Sequence, residues 1–237
     1  MLLRSGKAKE MNDGVVKVLN KITDLLVLNI LFLVSCIPVV TVGAALSSMY
    51  AVSLRSVRYE DGYVFQTYWK AFKRNFKQST IVWLVYLVLG VLLWIDVRFF
   101  SQVDLGILSR VFFAVTIAII FLLWMLSIWL FPVIAKMDDR LIVQVTNAAK
   151  MAVGYFFPYT AACMLIQGAA VYLAVINIGM MMLMLVLGFA GVSYMCSFFI
   201  YKVFASHIKE DPASEYDMLY PPQKDAQEKH REEEEKR

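Results

Sequence analysis

GYVFQTYWKAFKRNFKQST, residues Gly62–Thr80, decides the fold, because it is the one strongly amphipathic basic segment standing between long apolar runs. At a helical turn of roughly 100° per residue, Phe65, Tyr68, Trp69, Phe72 and Phe76 fall in one narrow wedge, the width expected of a buried helix face. Lys70, Lys73, Arg74 and Lys77 fill a neighbouring sector. An aromatic stripe beside a basic one predicts a helix lying in the plane of a membrane, rings at the headgroup boundary and ammonium groups among anionic lipids. Lysine and arginine also mark the cytoplasmic loops of membrane proteins, so the stretch predicts the side it occupies.

Composition supports a membrane setting. The chain of 237 residues is 60% hydrophobic and 18% charged, with a mean hydropathy of +0.63. The formal charge of +4 hides an asymmetry: from Ala205 onward six basic residues face ten acids, including Glu232 to Glu235, so the basic excess belongs to the apolar part. That excess reports orientation and does not point to nucleic acid. Three regions are expected: a cytoplasmic amphipathic N-terminus over 1–21, a transmembrane helical domain over 22–204, and a charged, disordered cytoplasmic tail over 205–237. Some twenty mixed residues precede the first apolar run, which argues against a cleaved signal peptide.

Charge and length then set the number of crossings. Asn12 is placed to cap a short helix carrying Val15, Val16, Leu19 and Ile22. The apolar run from Ile22 to Leu54 is too long for one span, and Pro38 with Gly43 in PVVTVG supplies a break, giving two short spans or a re-entrant hairpin. Because the segment from Arg55 to Lys77 is basic like the N-terminus, an even number of crossings separates the two. Ile81 to Val97 and Val111 to Ala135 are each one span, and Met151 to Tyr201, without a formal charge, holds two that turn at Asn177 and Gly179. The expected fold is an all-α polytopic bundle of about six passes with cytoplasmic interfacial helices. Asp138 or Asp139 is placed to cap a third lead-in helix with Leu141, Ile142, Val145, Ala148, Ala149 and Ala152 on one side, and the three lead-ins suggest a threefold repeat of lead-in plus hairpin.

Catalytic chemistry finds few candidates. No Asp, Glu, Lys, Arg or His is expected near a bilayer centre, and no GxxxxGK[ST] phosphate loop occurs. Cys36, Cys163 and Cys196 are far apart in sequence and read as small buried hydrophobes, without a metal or disulfide pattern. No catalytic residue, metal site or cofactor is expected. The polar side chains at depth, Asn29, Ser35, Thr41, Ser47, Ser48 and Gln167, read as interhelical hydrogen bonders. Ala44, Ala45, Ser47 and Ser48, and in the last pass Gly188 and Gly191, read as points of close helix approach. Pro132 and Pro158 read as helix boundaries or kinks. The basic stripe reads as an orientation signal, or as a surface for docking onto a larger membrane complex.

Asn29, the PVVTVGAA break from Pro38 to Ala45, and YWKAFKRNFKQST together resemble the YesL-like family of bacterial integral membrane proteins. The likeness runs over about residues 15 to 200, and its motif positions are Asn29, Pro38, Thr41, Gly43, Phe72, Asn75 and Phe76. The resemblance implies a multi-pass protein of the bacterial plasma membrane with both termini cytoplasmic, an accessory or assembly subunit of ABC-type carbohydrate uptake, and permease subunits as partners. It supplies no catalytic residues. A transporter or channel for small solutes is the alternative, and it predicts a polar cavity near Asn29, Thr41 and Gln167.

Overall fold

The computed structural model describes residues 2–59, 63–102 and 106–207, and every regular element among them is helical. The tail expected to be disordered lies, from residue 208 on, outside the described residues. Six segments are long and apolar enough to cross a membrane: Val18–Cys36, Val39–Arg58, Val64–Gln102, Ile107–Lys136, Phe156–Ile176 and Ile178–Ser206. This is an all-α polytopic bundle.

Helix α1 spans Leu2–Cys36 and runs through Asn12 and residue 21 without a break. The expected cap at Asn12 is therefore absent, because backbone hydrogen bonds already continue on its N-terminal side. Pro38, with extended backbone (φ −78°, ψ 115°), stops the chain from continuing as one helix, and a single tight turn, Val39–Thr41, leads into α2, Val42–Tyr59. Thr41 closes the break: its hydroxyl lies 2.6 Å from the Ser35 carbonyl and 2.7 Å from that of Pro38, and its N–H donates to Pro38 at 3.0 Å. Carbonyls released at the end of α1 are thereby satisfied inside the turn.

Helix α3 is one unbroken element, Val64–Gln102, of 39 residues. At about 1.5 Å per residue it is about 58 Å long against a hydrocarbon core of about 30 Å. The stretch expected to lie flat as a separate interfacial helix is instead the first part of the same continuous helix that supplies the third span. Its sequence holds no proline and no glycine before Gly90, so nothing there breaks the ladder and turns the axis. Helix α4, Ile107–Lys136, likewise continues past Pro132 for one more turn. Helix α5, Leu141–Gly154, is a separate short helix. Since only this one of the three expected lead-ins stands apart from its span, the threefold repeat is not realised.

A turn at Phe156–Thr160 separates α5 from α6, Ala161–Ile176; Phe157 is non-helical there and the Phe157–Pro158 bond is cis, so Pro158 does mark a boundary. Asn177 ends α6 in an extended conformation, and its Oδ1 accepts from the Gly179 N–H at 2.9 Å to start α7, Ile178–Leu183. After a wide turn at Met184–Gly188 the chain finishes in α8, Phe189–His207.

Helix α2 is the centre of the bundle. Buried residues make up 67% of its span, against 11% for α3 and 17% for α4. Composition explains this, because Gly43, Ala44, Ala45, Ser47 and Ser48 let neighbouring backbones come close, and the last four are fully buried. Gly43 is the tightest point: a β-carbon there would overlap the Ser79 carbonyl oxygen and the Trp83 β-carbon of α3. The approach expected at Gly188 and Gly191 is not seen. A β-carbon at Gly188 would meet only Met184 of the same chain segment, and Gly191 has open space around it.

Candidate functional site at the basic end of the bundle

The first 19 residues of α3 sort into three faces. Val64, Thr67, Tyr68, Ala71, Asn75, Ser79 and Val82 are buried, repeating every three or four residues along one side. Four of the five aromatics lie beside this face. Trp69 and Phe72 are half-buried and Phe65 and Phe76 exposed; Tyr68 alone is fully enclosed. The packed face is thus turned by roughly a quarter of the helix circumference from the aromatic wedge expected to be buried. The reason lies in α2, whose small residues pack closely on small partners: Ser79 donates to Ser47 Oγ at 2.9 Å, and one turn further on the Trp83 indole N–H reaches the Val39 carbonyl in the turn before α2 at 2.7 Å. The rings instead form a ladder along the helix, with centroid separations of 6.4 Å for Phe65–Trp69, 5.4 Å for Trp69–Phe72 and 5.6 Å for Phe72–Phe76.

The basic stripe also divides. Arg74 works within the fold: its guanidinium donates to the Ala135 carbonyl at 2.7 Å, sits 3.4 Å from Asp138, and contacts Asn75 Oδ1 at 3.2 Å. Gln78, one turn on, donates to the Asp139 carbonyl at 3.1 Å. A cation on the last-turn carbonyl of α4 satisfies an orphan acceptor and complements the negative end of the helix dipole. Asp138 is therefore engaged with α3 and caps nothing. The residue before α5 is Arg140, without a side-chain cap, and Gln144 anchors the helix by donating to the Met137 carbonyl at 2.7 Å. Lys21 plays the corresponding part at the end of α2, 2.9 Å from the Ser56 carbonyl and 4.7 Å above the Tyr194 ring. Lys73 and Lys77 point elsewhere. Both are exposed and make no ion pair or hydrogen bond among the described residues, while Lys70 is half-buried.

The polar residues expected to share a cavity are held in three different sets of bonds. Asn29 is fully buried and spans the wide turn of the last pass, donating to the Leu185 carbonyl at 2.7 Å and accepting from the Ala190 N–H at 3.0 Å. An i→i+5 turn leaves these backbone groups poorly served by their own helix, and a carboxamide matches the pair. Thr41 bonds within its own turn. Gln167 accepts from the Trp124 indole at 2.9 Å and approaches the Tyr50 hydroxyl at 3.4 Å. Interhelical bonding is thus what Asn29, Ser47 and Gln167 do. Cys163 and Cys196 are buried and Cys36 half-buried, all as free thiols. Among the described residues no three His, Cys, Asp or Glu side chains converge as a metal site would require.

Several contributors carried no clear sequence signal. Trp83, Lys21 and Gln144 are examples, and so is Thr160, whose hydroxyl accepts from the Trp129 indole at 2.8 Å and bonds the Tyr155 carbonyl at 3.0 Å. The small and polar residues Ala71, Asn75 and Ser79, spaced by four, are the signal that marks the packed side of α3.

A family profile described as "Protein of unknown function, DUF624" matches residues 25–97, a little under a third of the chain. No curated protein and no solved structure matches it. The matched residues comprise the last third of α1, all of α2 and nearly all of α3, so they contain every motif position from Asn29 to Phe76.

Proposed function

We propose that this chain is a non-enzymatic subunit of the bacterial plasma membrane, with both termini cytoplasmic, that assembles with the permease of an ABC-type carbohydrate importer through the free basic edge of α3. The reading rests first on the division of the basic stripe. Arg74 is spent on closing α3 against α4, whereas Lys73 and Lys77 stand exposed next to the ring ladder, leaving two cations and an aromatic edge for a partner. Burying Phe76 and the stems of both lysines against another surface gives the mixed aromatic and cationic contact typical of interface hot spots. The resemblance to YesL-like proteins, which are members of the matched family, supplies the sugar-uptake context. An acidic cytoplasmic surface on the permease is the complement required.

Isolation in a mild detergent from cells induced for sugar uptake tests the reading. Permease subunits are expected with the wild type and lost from Lys73→Gln/Lys77→Gln, while the variant keeps its topology and thermal stability. Recovery of the wild type without permease subunits, or equal recovery with both proteins, overturns it.

A further inference from the structure

We propose that α5 is a membrane-surface helix whose outward face lies in the boundary between acyl chains and headgroups, with Arg140 and Lys150 holding acidic phospholipid headgroups. Helix α5 is apolar on two sides. Gln144, Ala148 and Ala152 form the packed side and are fully buried against the end of α4 and the turn before α6. Ile142, Ala149 and Val153 line up roughly 120° further round the helix at 100° per residue. Ile142 is 80% exposed, Val153 70%, and Phe157, just beyond the helix, 81%.

A helix covering a water-soluble surface turns polar residues outward, and this one does the opposite. Its position names the occupant. Helix α5 joins the ends of two spans, α4 and α6, whose exposed apolar residues, Leu165 among them, continue the same surface. The expectation for Leu141–Ala152 was a single apolar side; the structure divides it, with Leu141, Val145, Ala148 and Ala152 turned inward and Ile142 and Ala149 outward.

Charge agrees with this placement. No acidic residue occurs between Leu141 and Gly154. Arg140 at the start of the helix and Lys150 in its third turn are exposed and make no ion pair among the described residues; of the two aspartates before the helix, Asp138 meets Arg74 and Asp139 is exposed beside Arg140. An apolar stripe flanked by cations that make no ion pair within the fold is the pattern of an interfacial helix on an anionic leaflet. The proposal is independent of any partner at Lys73 and Lys77.

Site-directed bimane labelling of the full chain in nanodiscs provides the test. Cysteines are introduced singly at Ile142, Val153, Leu165 and Lys77 in a Cys36→Ala background, in phosphatidylcholine with about 30% phosphatidylglycerol, with and without brominated chains. Bromine is expected to quench the labels at 142 and 153 at least half as strongly as the lipid-facing label at 165, and to leave that at 77 unchanged. Quenching by spin-labelled phosphatidylglycerol, relative to phosphatidylcholine, is expected to report an affinity lower by about fivefold for each cation removed in Arg140→Gln and Lys150→Gln. A label at 165 that quenches while those at 142 and 153 do not places the face in water or under protein and overturns the proposal. Equal quenching by the two spin-labelled lipids in the wild type overturns its acidic-headgroup part.

Discussion

Substituting alanine at two glycines of the bundle should give opposite results. At Gly43 the added β-carbon falls on the Ser79 carbonyl oxygen and the Trp83 β-carbon, both anchored to the α3 backbone, so no side-chain rotation relieves the clash. Helices α2 and α3 must separate, which costs about 1–3 kcal/mol as overpacking. Separation also stretches the Ser79–Ser47 and Trp83–Val39 hydrogen bonds, now 2.9 and 2.7 Å. Interhelical bonds in membrane proteins contribute about 0.6 and at most about 1.7 kcal/mol each, so the sum for Gly43→Ala is about 2–6 kcal/mol. Gly90, later in α3, has nothing within 4 Å of the same added atom. Gly90→Ala should therefore be neutral or stabilise by up to about 1 kcal/mol through helix propensity. Reversible unfolding of both variants in mixed micelles, followed by circular dichroism, measures the difference. If Gly43→Ala unfolds within about 0.5 kcal/mol of Gly90→Ala, close α2–α3 packing is not what the break at Pro38 to Gly43 serves.

Further outcomes follow from the same contacts. Asn29→Leu strands the Leu185 carbonyl and the Ala190 N–H and should cost about 1–3 kcal/mol, with faster amide exchange confined to Met184–Ala190. Arg74→Gln should destabilise the α3–α4 contact by about 1 kcal/mol; the part owed to Asp138 should vanish at high salt and the part owed to the Ala135 carbonyl should persist, separable by a double-mutant cycle with Asp138→Asn. Trp129→Phe should lower the melting temperature by removing the bond to buried Thr160, at a cost of about 1 kcal/mol. Lys73→Gln/Lys77→Gln should leave the melting temperature unchanged, since neither lysine has a partner among the described residues, and act only on the recovery of permease subunits.

Span count, the break at PVVTVG, the turn at Asn177 and the boundary at Pro158 were legible, because each depends on apolar length or on a residue with restricted backbone chemistry. The packed side of Gly62–Thr80 was not. An apolar wedge suggests the buried face, but α3 packs on the small residues of α2 through its own small and polar side, so Phe65 and Phe76 stay exposed while Thr67, Asn75 and Ser79 are enclosed. In α5 the apolar residues likewise lie on two sides, of which packing against α4 encloses one. Continuity of α3 was missed for a related reason. A basic amphipathic stretch suggested a change of direction, yet helical hydrogen bonding needs only the absence of a breaker, and none occurs there. Arg74 was grouped with Lys70, Lys73 and Lys77 by charge alone, while its role depends on main-chain carbonyls that sequence does not display.

Main-chain carbonyls also meet the matched stretch at its borders with the rest of the bundle. Residues 25–97 contribute Asn29, Arg74 and Gln78, and each reaches out of the matched stretch to grip another part of the bundle. What they grip is chiefly backbone: the Leu185 and Ala190 main chain in the last pass, the Ala135 carbonyl at the end of α4, and the Asp139 carbonyl before α5, with the Asp138 carboxylate beside Arg74 as the side-chain exception among these three. A main-chain acceptor fixes a position in space but demands no particular side chain. Contacts inside the matched stretch are more exacting, since Ser47 with Ser79 specifies residue types on both sides and the close approach of the Ser79 carbonyl admits only glycine at Gly43. A segment that holds the donors and the small residues thus carries the side-chain signature of the fold. The remaining helices add a few side-chain partners, Ser193 to Ser53, Gln167 to Tyr50 and Asp138 to Arg74, and otherwise present a backbone of the right shape and an apolar surface to lipid, requirements that many sequences meet.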